Sequence, residues 1–212
     1  NKNAALPLLA ACLLTDQECV LTNVPRIRDV EVLIDLLLGL GATVDGRGSS
    51  TLHVRCDTIA SDRPDPALVG RLRGSVLLLG PLLARRRSAR LAPPGGDFPA
   101  RRTISTHLQA LAAMGAVPLD EPGHALEAPS GLNGASFYLD EASVTGTETA
   151  LLAAAAAKGR TEIRHAATEP HVVELCRFLR ALGVSIEGEG TSTIRVESPV
   201  RFKGATHRLD GD

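Results

Sequence analysis

Two cations stand at equivalent places in this chain, each just before an apolar helical segment. When the segments that begin near residues 4, 74 and 147 are aligned, Lys2, Arg73 and Thr145 occupy matching positions. The start of a helix favours a bound anion, because its first backbone N–H groups and its dipole carry partial positive charge. A cation there does not stabilise the helix, so we interpret Lys2 and Arg73 as ligands of a phosphate or carboxylate. A basic helix end that only faces solvent is the alternative.

A second group of polar residues lies in the loop of residues 93–99 (PPGGDFP) and just after it. Paired prolines and glycines predict an extended surface loop, and such loops often carry function when a rigid scaffold positions them. Asp97 stands in this loop, and Arg101 and Arg102 follow it. An acid amid arginines indicates a site, although a plain surface connection that ends in a helix cap near Thr103 remains possible.

Two further departures involve His107 and the segment Ser143-Val144-Thr145. His107 occupies a helical position that is leucine in the other two copies of the repeat described below, at Leu33 and Leu175. It is either a core histidine bonded to the backbone or a residue that orients a ligand or a neighbour at a polar site. Ser143 and Thr145 are both suited to cap a helix, which by itself is an ordinary structural role.

The elements that must position these residues recur three times along the chain. Gly41, Gly115 and Gly183 each follow an apolar segment whose spacing draws one stripe on a helix. Each glycine is suited to end its helix in the left-handed conformation, before a short strand. A second, more apolar helix precedes each of these helices, at about residues 4–14, 74–83 and 147–157, with a strand between the two.

This order predicts one α/β domain over residues 1–212, built from three βαβαββ repeats at about residues 1–57, 58–130 and 131–200. The first helix of each repeat is apolar on all sides, as in the alanine-rich run of residues 153–157. Such helices must be buried. We therefore expect an inside-out, barrel-like arrangement with helices in the core and sheets outside.

Composition excludes several classes of function. The chain is 44% apolar and 22% charged with a formal net charge of −1, which is typical of a globular domain, and no apolar run is long enough to span a membrane. Aromatic residues make up only 2%, so the stacking that single-stranded nucleic acids require is scarcely available. The four cysteines lack zinc-ligand spacing and are interpreted as reduced structural thiols. We expect a cytoplasmic protein without metal or cofactor, with a local anion site left open by the arginines between residues 85 and 102.

Several segments resemble motifs of the UDP-N-acetylglucosamine 1-carboxyvinyltransferase family of enolpyruvyl transferases. They are residues 1–7 (NKNAALP), which resemble the family's Lys-Asn-Ala-Ala-Leu-Pro opening; residues 72–75 and 79–82, which resemble its second helix; and residues 94–96 with Arg102 and His107, which resemble its active-site loop. The similarity runs along the whole chain, including residues 23–25 and 169–170. It implies that this chain is one of the family's two similar domains, which close on substrates in the cleft between them. The chain stops soon after Val196, where the family's chain enters the other domain.

The resemblance also implies an activity and a set of residues. The activity is transfer of the enolpyruvyl group of phosphoenolpyruvate to the 3-hydroxyl of UDP-N-acetylglucosamine with release of phosphate, the first committed step of peptidoglycan synthesis. The implied catalytic residues are Asp97, Lys2 and Arg102, with Asp97 standing where the family usually has a cysteine. The implied substrate-binding residues are Lys2, Asn3, Arg73, Arg102, Thr103, Ile104, Ser105, Thr106, His107, Ser143, Val144 and Thr145.

Two departures from the family pattern concern the acceptor. Ser105 stands where an Asp reads the uracil, and Glu141 replaces a basic residue that commonly helps to hold the nucleotide phosphates. A related enolpyruvyl transferase with another hydroxyl acceptor, or a non-catalytic module that binds a sugar nucleotide, therefore remain alternatives. In each case we expect the chain to be inactive without the second domain, which would supply the other wall of the cleft.

Overall fold

A computed structural model describes residues 2–95 and 103–211 of the chain. Its α-helices are α1 (Lys2–Ala11), α2 (Arg28–Gly39), α3 (Pro66–Val69), α4 (Leu79–Arg86), α5 (Ser105–Ala113), α6 (Val144–Ala154) and α7 (Pro170–Ala181). Its strands are β1 (Cys19–Thr22), β2 (Thr43–Asp45), β3 (Thr51–Arg55), β4 (Ser88–Leu91), β5 (Val117–Pro118), β6 (His124–Glu127), β7 (Ser136–Tyr138), β8 (Arg160–Arg164), β9 (Ser185–Glu187), β10 (Thr193–Glu197) and β11 (Ala205–Arg208). Two 3-10 helices, Cys12–Leu14 and Arg73–Leu78, complete the set.

Helices α1 and α6 lie inside the domain. All residues from Ala4 to Ala11 and from Gly146 to Ala154 are buried. A helix buried on every face must be surrounded by other elements, and small side chains allow its neighbours to approach closely. The prediction of buried inner helices is confirmed.

Three sheets cover these helices. Their strand orders are β11-β1-β3-β2, β4-β6-β5 and β7-β8-β10-β9. Along β3 and β10 the buried residues alternate with exposed ones, so each sheet packs one face on the helices and turns the other to solvent. The predicted inside-out α/β arrangement is therefore confirmed, while the boundaries of the three repeats stay a prediction.

Strand β11 lies within the predicted domain but beyond the third predicted repeat, which ends near residue 200. It pairs in parallel with β1, with Ala205 opposite Cys19, and takes the place in its sheet that β7 takes beside β8. The C-terminal part of the chain thus completes the sheet that the N-terminal part begins. The sequence does not predict this strand because its four residues are only partly buried or exposed and show no apolar alternation.

The helices that precede the three repeated glycines end as predicted. Gly41, Gly115 and Gly183 have φ angles of 98°, 96° and 105°. After α2, the Gly41 N–H donates to the carbonyl of Leu38 and the Ala42 N–H to that of Leu37, both at 3.0 Å, which is the Schellman arrangement. A side chain at these glycines would be strained, so the repeated motif has a conformational cause.

The inner helix of the second repeat differs from its prediction. The expected single helix of residues 74–83 is a 3-10 helix over Arg73–Leu78 that continues into α4. Pro81 has no N–H to donate to the carbonyl four residues earlier, which weakens α-helical bonding at that junction. Arg73 is the first residue of the 3-10 segment, so the break lies between the cation and the regular helix.

Candidate active site at the helix starts

The starts of the helices meet at one end of the domain. Lys2 begins α1, and its Nζ lies 2.6 Å from Oδ2 of Asp29 in the first turn of α2. A Cβ built on Gly74 would lie 2.8 Å from Cδ1 of Leu6, so α1 also contacts, near its start, the 3-10 helix that Arg73 begins. The two cations predicted to bind an anion therefore start neighbouring elements.

His107 connects this group to α6. Its Nε2 lies 3.0 Å from Oγ1 of Thr145, and the side chain is buried, only 2% exposed. Burial, followed by the charge of Arg73, lowers the pKa of His107 to about 4. The imidazole is therefore neutral at neutral pH, and it fixes the Thr145 hydroxyl. The contact with Thr145 agrees with the interpretation in which His107 orients a neighbour, and its role at a site stays a prediction.

The predicted Ser143-Val144-Thr145 segment forms the start of α6. Ser143 is the N-cap, and its Oγ accepts a hydrogen bond from the Gly146 N–H at 3.2 Å. Thr145 lies inside the first turn, whereas Lys2 and Arg73 are the first residues of their helices, so the three aligned positions are not strictly equivalent. The carboxyl ends of the parallel strands β7 and β8 lead into α6 and α7, which places both helix starts at the same edge of the sheet.

The polar stretch before α5 alternates between the surface and the core. Thr103 and Ser105 are exposed, and their hydroxyl oxygens lie 2.7 Å apart, while Ile104 and Thr106 are buried. The N-cap of α5 is Ile104, which makes no side-chain cap, so the cap expected near Thr103 lies one residue later. Only the first two of these side chains are therefore available to a ligand on the domain surface.

The remaining predicted residues differ in what can be said of them. Asn3 is exposed beside Lys2 in the first turn of α1. Asp97, Arg101 and Arg102 lie outside the described residues, so their roles stay predictions. The loop that leads to them starts close to the site, because the Gly95 N–H donates to the Val69 carbonyl at 3.0 Å.

Gly95 fits this position because it lacks a side chain. A Cβ at Gly95 would overlap the backbone of Gly70, which lies three residues before Arg73. Gly95 therefore lies next to the segment that carries Arg73. This close backbone approach explains one of the loop's paired glycines.

Glu148 is a buried acid that the sequence analysis did not single out. It lies in α6 with 2% exposure, and its Oε1 has no hydrogen-bond partner among the described residues. Burial raises the pKa of this carboxyl well above its usual value, and the charge of nearby Glu169, just before α7, raises it further. An acid in an otherwise apolar helix was the available sequence signal. The raised pKa keeps Glu148 neutral over a wider pH range and limits the negative charge beside the helix starts.

Two of the arginines near the local anion site that the sequence left open are bound within the domain. Arg85 donates to backbone carbonyls, including those of Cys56 and Asp57 at 2.7 Å. Arg90 forms ion pairs with Asp62 and Glu121. The guanidinium groups of Arg85 and Arg90 therefore serve contacts within the fold.

The described residues offer no grouping of three or more His, Cys, Asp or Glu side chains that could hold a metal ion. Cys12, Cys19, Cys56 and Cys176 are buried free thiols. Over residues 2–95 and 103–211, no helix has the length and apolar character needed to cross a membrane.

Comparison with known proteins agrees with this architecture. The whole chain, residues 1–212, matches the family model of EPSP synthase (3-phosphoshikimate 1-carboxyvinyltransferase). The chain therefore belongs to the EPSP synthase family, a family of enolpyruvyl transferases. A crystal structure of an enolpyruvyl transferase from Streptomyces tendae has a TM-score of 0.85 at 24% identity, covering 100% of this chain and 50% of that one. EPSP synthase from Acinetobacter baumannii has a TM-score of 0.75 at 19% identity, covering 99% of this chain and 48% of that one, and both likenesses show the shared fold.

The similar sequences carry one more specific name. UDP-N-acetylglucosamine 1-carboxyvinyltransferases from Bradyrhizobium diazoefficiens and Treponema pallidum are 48% and 42% identical to the chain over its full length. The same enzyme from Solibacter usitatus is 43% identical. The chain spans about half the length of these relatives, 49% to 51%.

Proposed function

We propose that this chain is one half of a UDP-N-acetylglucosamine 1-carboxyvinyltransferase, in which a second domain forms the other wall of the cleft. The protein would transfer the enolpyruvyl group of phosphoenolpyruvate to the 3-hydroxyl of UDP-N-acetylglucosamine, the first committed step of peptidoglycan synthesis in the cytoplasm. The observation that carries the proposal is that two cations, Lys2 and Arg73, begin neighbouring helical segments that pack against each other through Leu6 and Gly74. The names of relatives with up to 48% identity support the choice of substrates.

The proposed reaction needs fixed positive charge and a proton donor. The acceptor hydroxyl loses its proton to a base as its oxygen bonds to C2 of phosphoenolpyruvate, and C3 takes a proton from the proton donor. Phosphate then leaves from C2 as C3 loses a proton, which restores the double bond. Lys2 and Arg73 would bind the phosphate and carboxylate, where developing charge is stabilised by groups already in place. Asp97 and Arg102, in the segment that follows Gly95 in the sequence, are proposed as proton donor and anion ligand.

The start of α6 is proposed to bind the acceptor. Its first turn presents Thr145, which the neutral His107 holds in place through a 3.0 Å contact. Asn3 lies in the first turn of α1 and is proposed to contact the sugar. A helix start with a fixed hydroxyl suits a diphosphate or a sugar hydroxyl, because both accept hydrogen bonds.

The decisive experiment measures phosphate release from phosphoenolpyruvate by the full-length protein with UDP-N-acetylglucosamine as acceptor. We expect acceptor-dependent release that falls at least about 100-fold in Asp97→Asn, since general acid catalysis commonly contributes that much. Asp57→Asn is the matched control, because Asp57 is exposed and paired with Arg55 instead of lying in the loop. Equal loss in both variants, or no loss in either, would reject the role of Asp97.

The 212-residue chain alone is expected to release no phosphate, since half of the cleft is absent. Measurable turnover by this chain would reject the proposal that a second domain completes the site.

A second acceptor is favoured by one observation. Glu141 is exposed two residues before Ser143 and adds negative charge beside the helix start proposed for the diphosphate. A hydroxyl acceptor with less negative charge would avoid this repulsion. Release of phosphate with another hydroxyl compound but not with the UDP-sugar would favour this alternative, and binding of the UDP-sugar without any release would favour a non-catalytic module.

A further inference from the structure

Lys2 has a defined partner within the domain. Its ammonium lies 2.6 Å from the carboxylate of Asp29, and the two side chains are 51% and 32% exposed. The pair joins the first residue of α1 to the first turn of α2, at the same end of the domain as Arg73 and Thr145. Asp29 has no place in the sequence-based interpretation of the site.

The helix start accounts for the position of Asp29. The N-cap of α2, Ile27, makes no side-chain cap, and a carboxylate in the first turn interacts favourably with the helix dipole. The ion pair itself adds little to folding, because exposed pairs of this kind contribute at most about 1 kcal/mol. Stability alone therefore gives a weak reason to place a carboxylate against a substrate-binding lysine.

The pair has a larger effect on the freedom of the lysine. A lysine side chain has four rotatable bonds and three ammonium donors. A single bond to Asp29 restricts the side chain to one direction and leaves two donors for an anion. A lysine that is already held in place loses less entropy when the anion binds.

We propose that Asp29 is a positioning residue that holds Lys2 ready for the anionic group of phosphoenolpyruvate. This inference rests on the proposed function, because it takes Lys2 as a ligand of that substrate. If Asp29 instead competed with the substrate for Lys2, removing its charge would strengthen the binding of phosphoenolpyruvate.

The test compares four variants of the full-length protein, with the dissociation constant for phosphoenolpyruvate measured by titration calorimetry. Asp29→Asn keeps the shape of the side chain and removes its charge, and we expect binding to weaken about 3- to 10-fold. Glu31→Gln is the matched control, because Glu31 lies in the same first turn but pairs with Arg47. We expect its dissociation constant to stay within about twofold, as for an exposed charge without substrate contact.

The remaining two variants show whether Asp29 acts through Lys2. Lys2→Ala should weaken binding strongly, and adding Asp29→Asn to it should produce no further loss. In steady-state assays Asp29→Asn should raise KM for phosphoenolpyruvate while kcat changes less, which a general loss of folding would not produce.

The outcomes separate this inference from the proposed function. Unchanged binding in Lys2→Ala would contradict the proposed role of Lys2 in substrate binding. Weaker binding in Lys2→Ala together with unchanged or tighter binding in Asp29→Asn would reject only the positioning role. An effect of Asp29→Asn that persists in the Lys2→Ala background would also reject it.

Discussion

The two ends of the inner helices use basic side chains in opposite ways. Near the C-terminal ends, Arg85 of α4 donates to the carbonyls of Leu13, Thr15, Cys56 and Asp57, so the protein itself satisfies these acceptors. At the N-terminal ends, cations are added where the backbone is already electropositive. The first arrangement holds the fold together, whereas the second suits a ligand. The position of an arginine relative to a helix end therefore says more about its role than local arginine density does.

The largest effect of a substitution is expected near the C-terminal ends of the inner helices, on the stability of the fold. Arg85→Ala removes charge-assisted hydrogen bonds to several backbone carbonyls, and we expect the free energy of unfolding to fall by about 3–4 kcal/mol. Urea denaturation measures this change. Arg86→Ala is the control, because Arg86 is the exposed neighbour and should change stability by less than about 0.5 kcal/mol. Equal losses in the two variants would remove the distinction between the two ends.

At the N-terminal ends of the helices, a substitution is expected to affect ligand binding instead of stability. Arg73→Ala should weaken phosphoenolpyruvate binding by about 100-fold, or about 2.7 kcal/mol, since it removes a charged ligand of the anion. Arg71→Ala tests whether charge alone is sufficient, because Arg71 is exposed and lies only two residues earlier. Calorimetric titration of both proteins should show a loss only for Arg73→Ala. A similar loss in both would indicate a diffuse electrostatic attraction instead of a site.

His107, near the N-terminal ends of the helices, should make the stability of the fold depend on pH. The pKa of His107 is about 4 in the fold, below its ordinary value of 6.5, so between these pH values the unfolded chain binds a proton that the fold does not. The free energy of unfolding should therefore rise by about 2.5 kcal/mol from pH 4 to pH 6.5. Denaturation at a series of pH values would show this rise in the wild type and not in His107→Gln.

Glu148 provides a comparison of opposite sign. Its folded pKa is raised, so the fold holds a proton that the unfolded chain releases above about pH 4.5, and stability should decrease as pH rises. Glu148→Gln should remove this decrease while leaving the His107 contribution intact. Identical pH profiles for wild type and Glu148→Gln would contradict the assignment.

The smallest effect is expected from the cap of α6. Ser143→Ala removes the hydroxyl that accepts from Gly146, and we expect a loss of about 1 kcal/mol in the free energy of unfolding. Ser143→Asp should restore the cap, since a carboxylate accepts the same bond. Thermal melts of the three proteins would test the order wild type, aspartate variant, alanine variant. An alanine variant as stable as the wild type would show that Ser143 is not needed as a cap.

Local features of this protein could be predicted from its sequence. The repeated glycines predict helix ends, because only a residue without a side chain adopts a φ angle near 100° without strain. The apolar character of α1 and α6 on every side required their burial. Lys2 and Arg73 could be assigned to helix starts because the apolar segments that follow them in the sequence mark where the helices begin.

The tertiary structure decided everything that depends on partners distant in the chain. Strand β11 completes the first sheet because β1 offers it an unpaired edge, and nothing in its own four residues indicates this. The pairing of Lys2 with Asp29 and of His107 with Thr145 follows from the packing of separate helices. Local sequence sets the conformation of each helix and the charge at its start, but the contacts between helices are set by how the whole core is filled, and these contacts determine which of the charged groups face a common site.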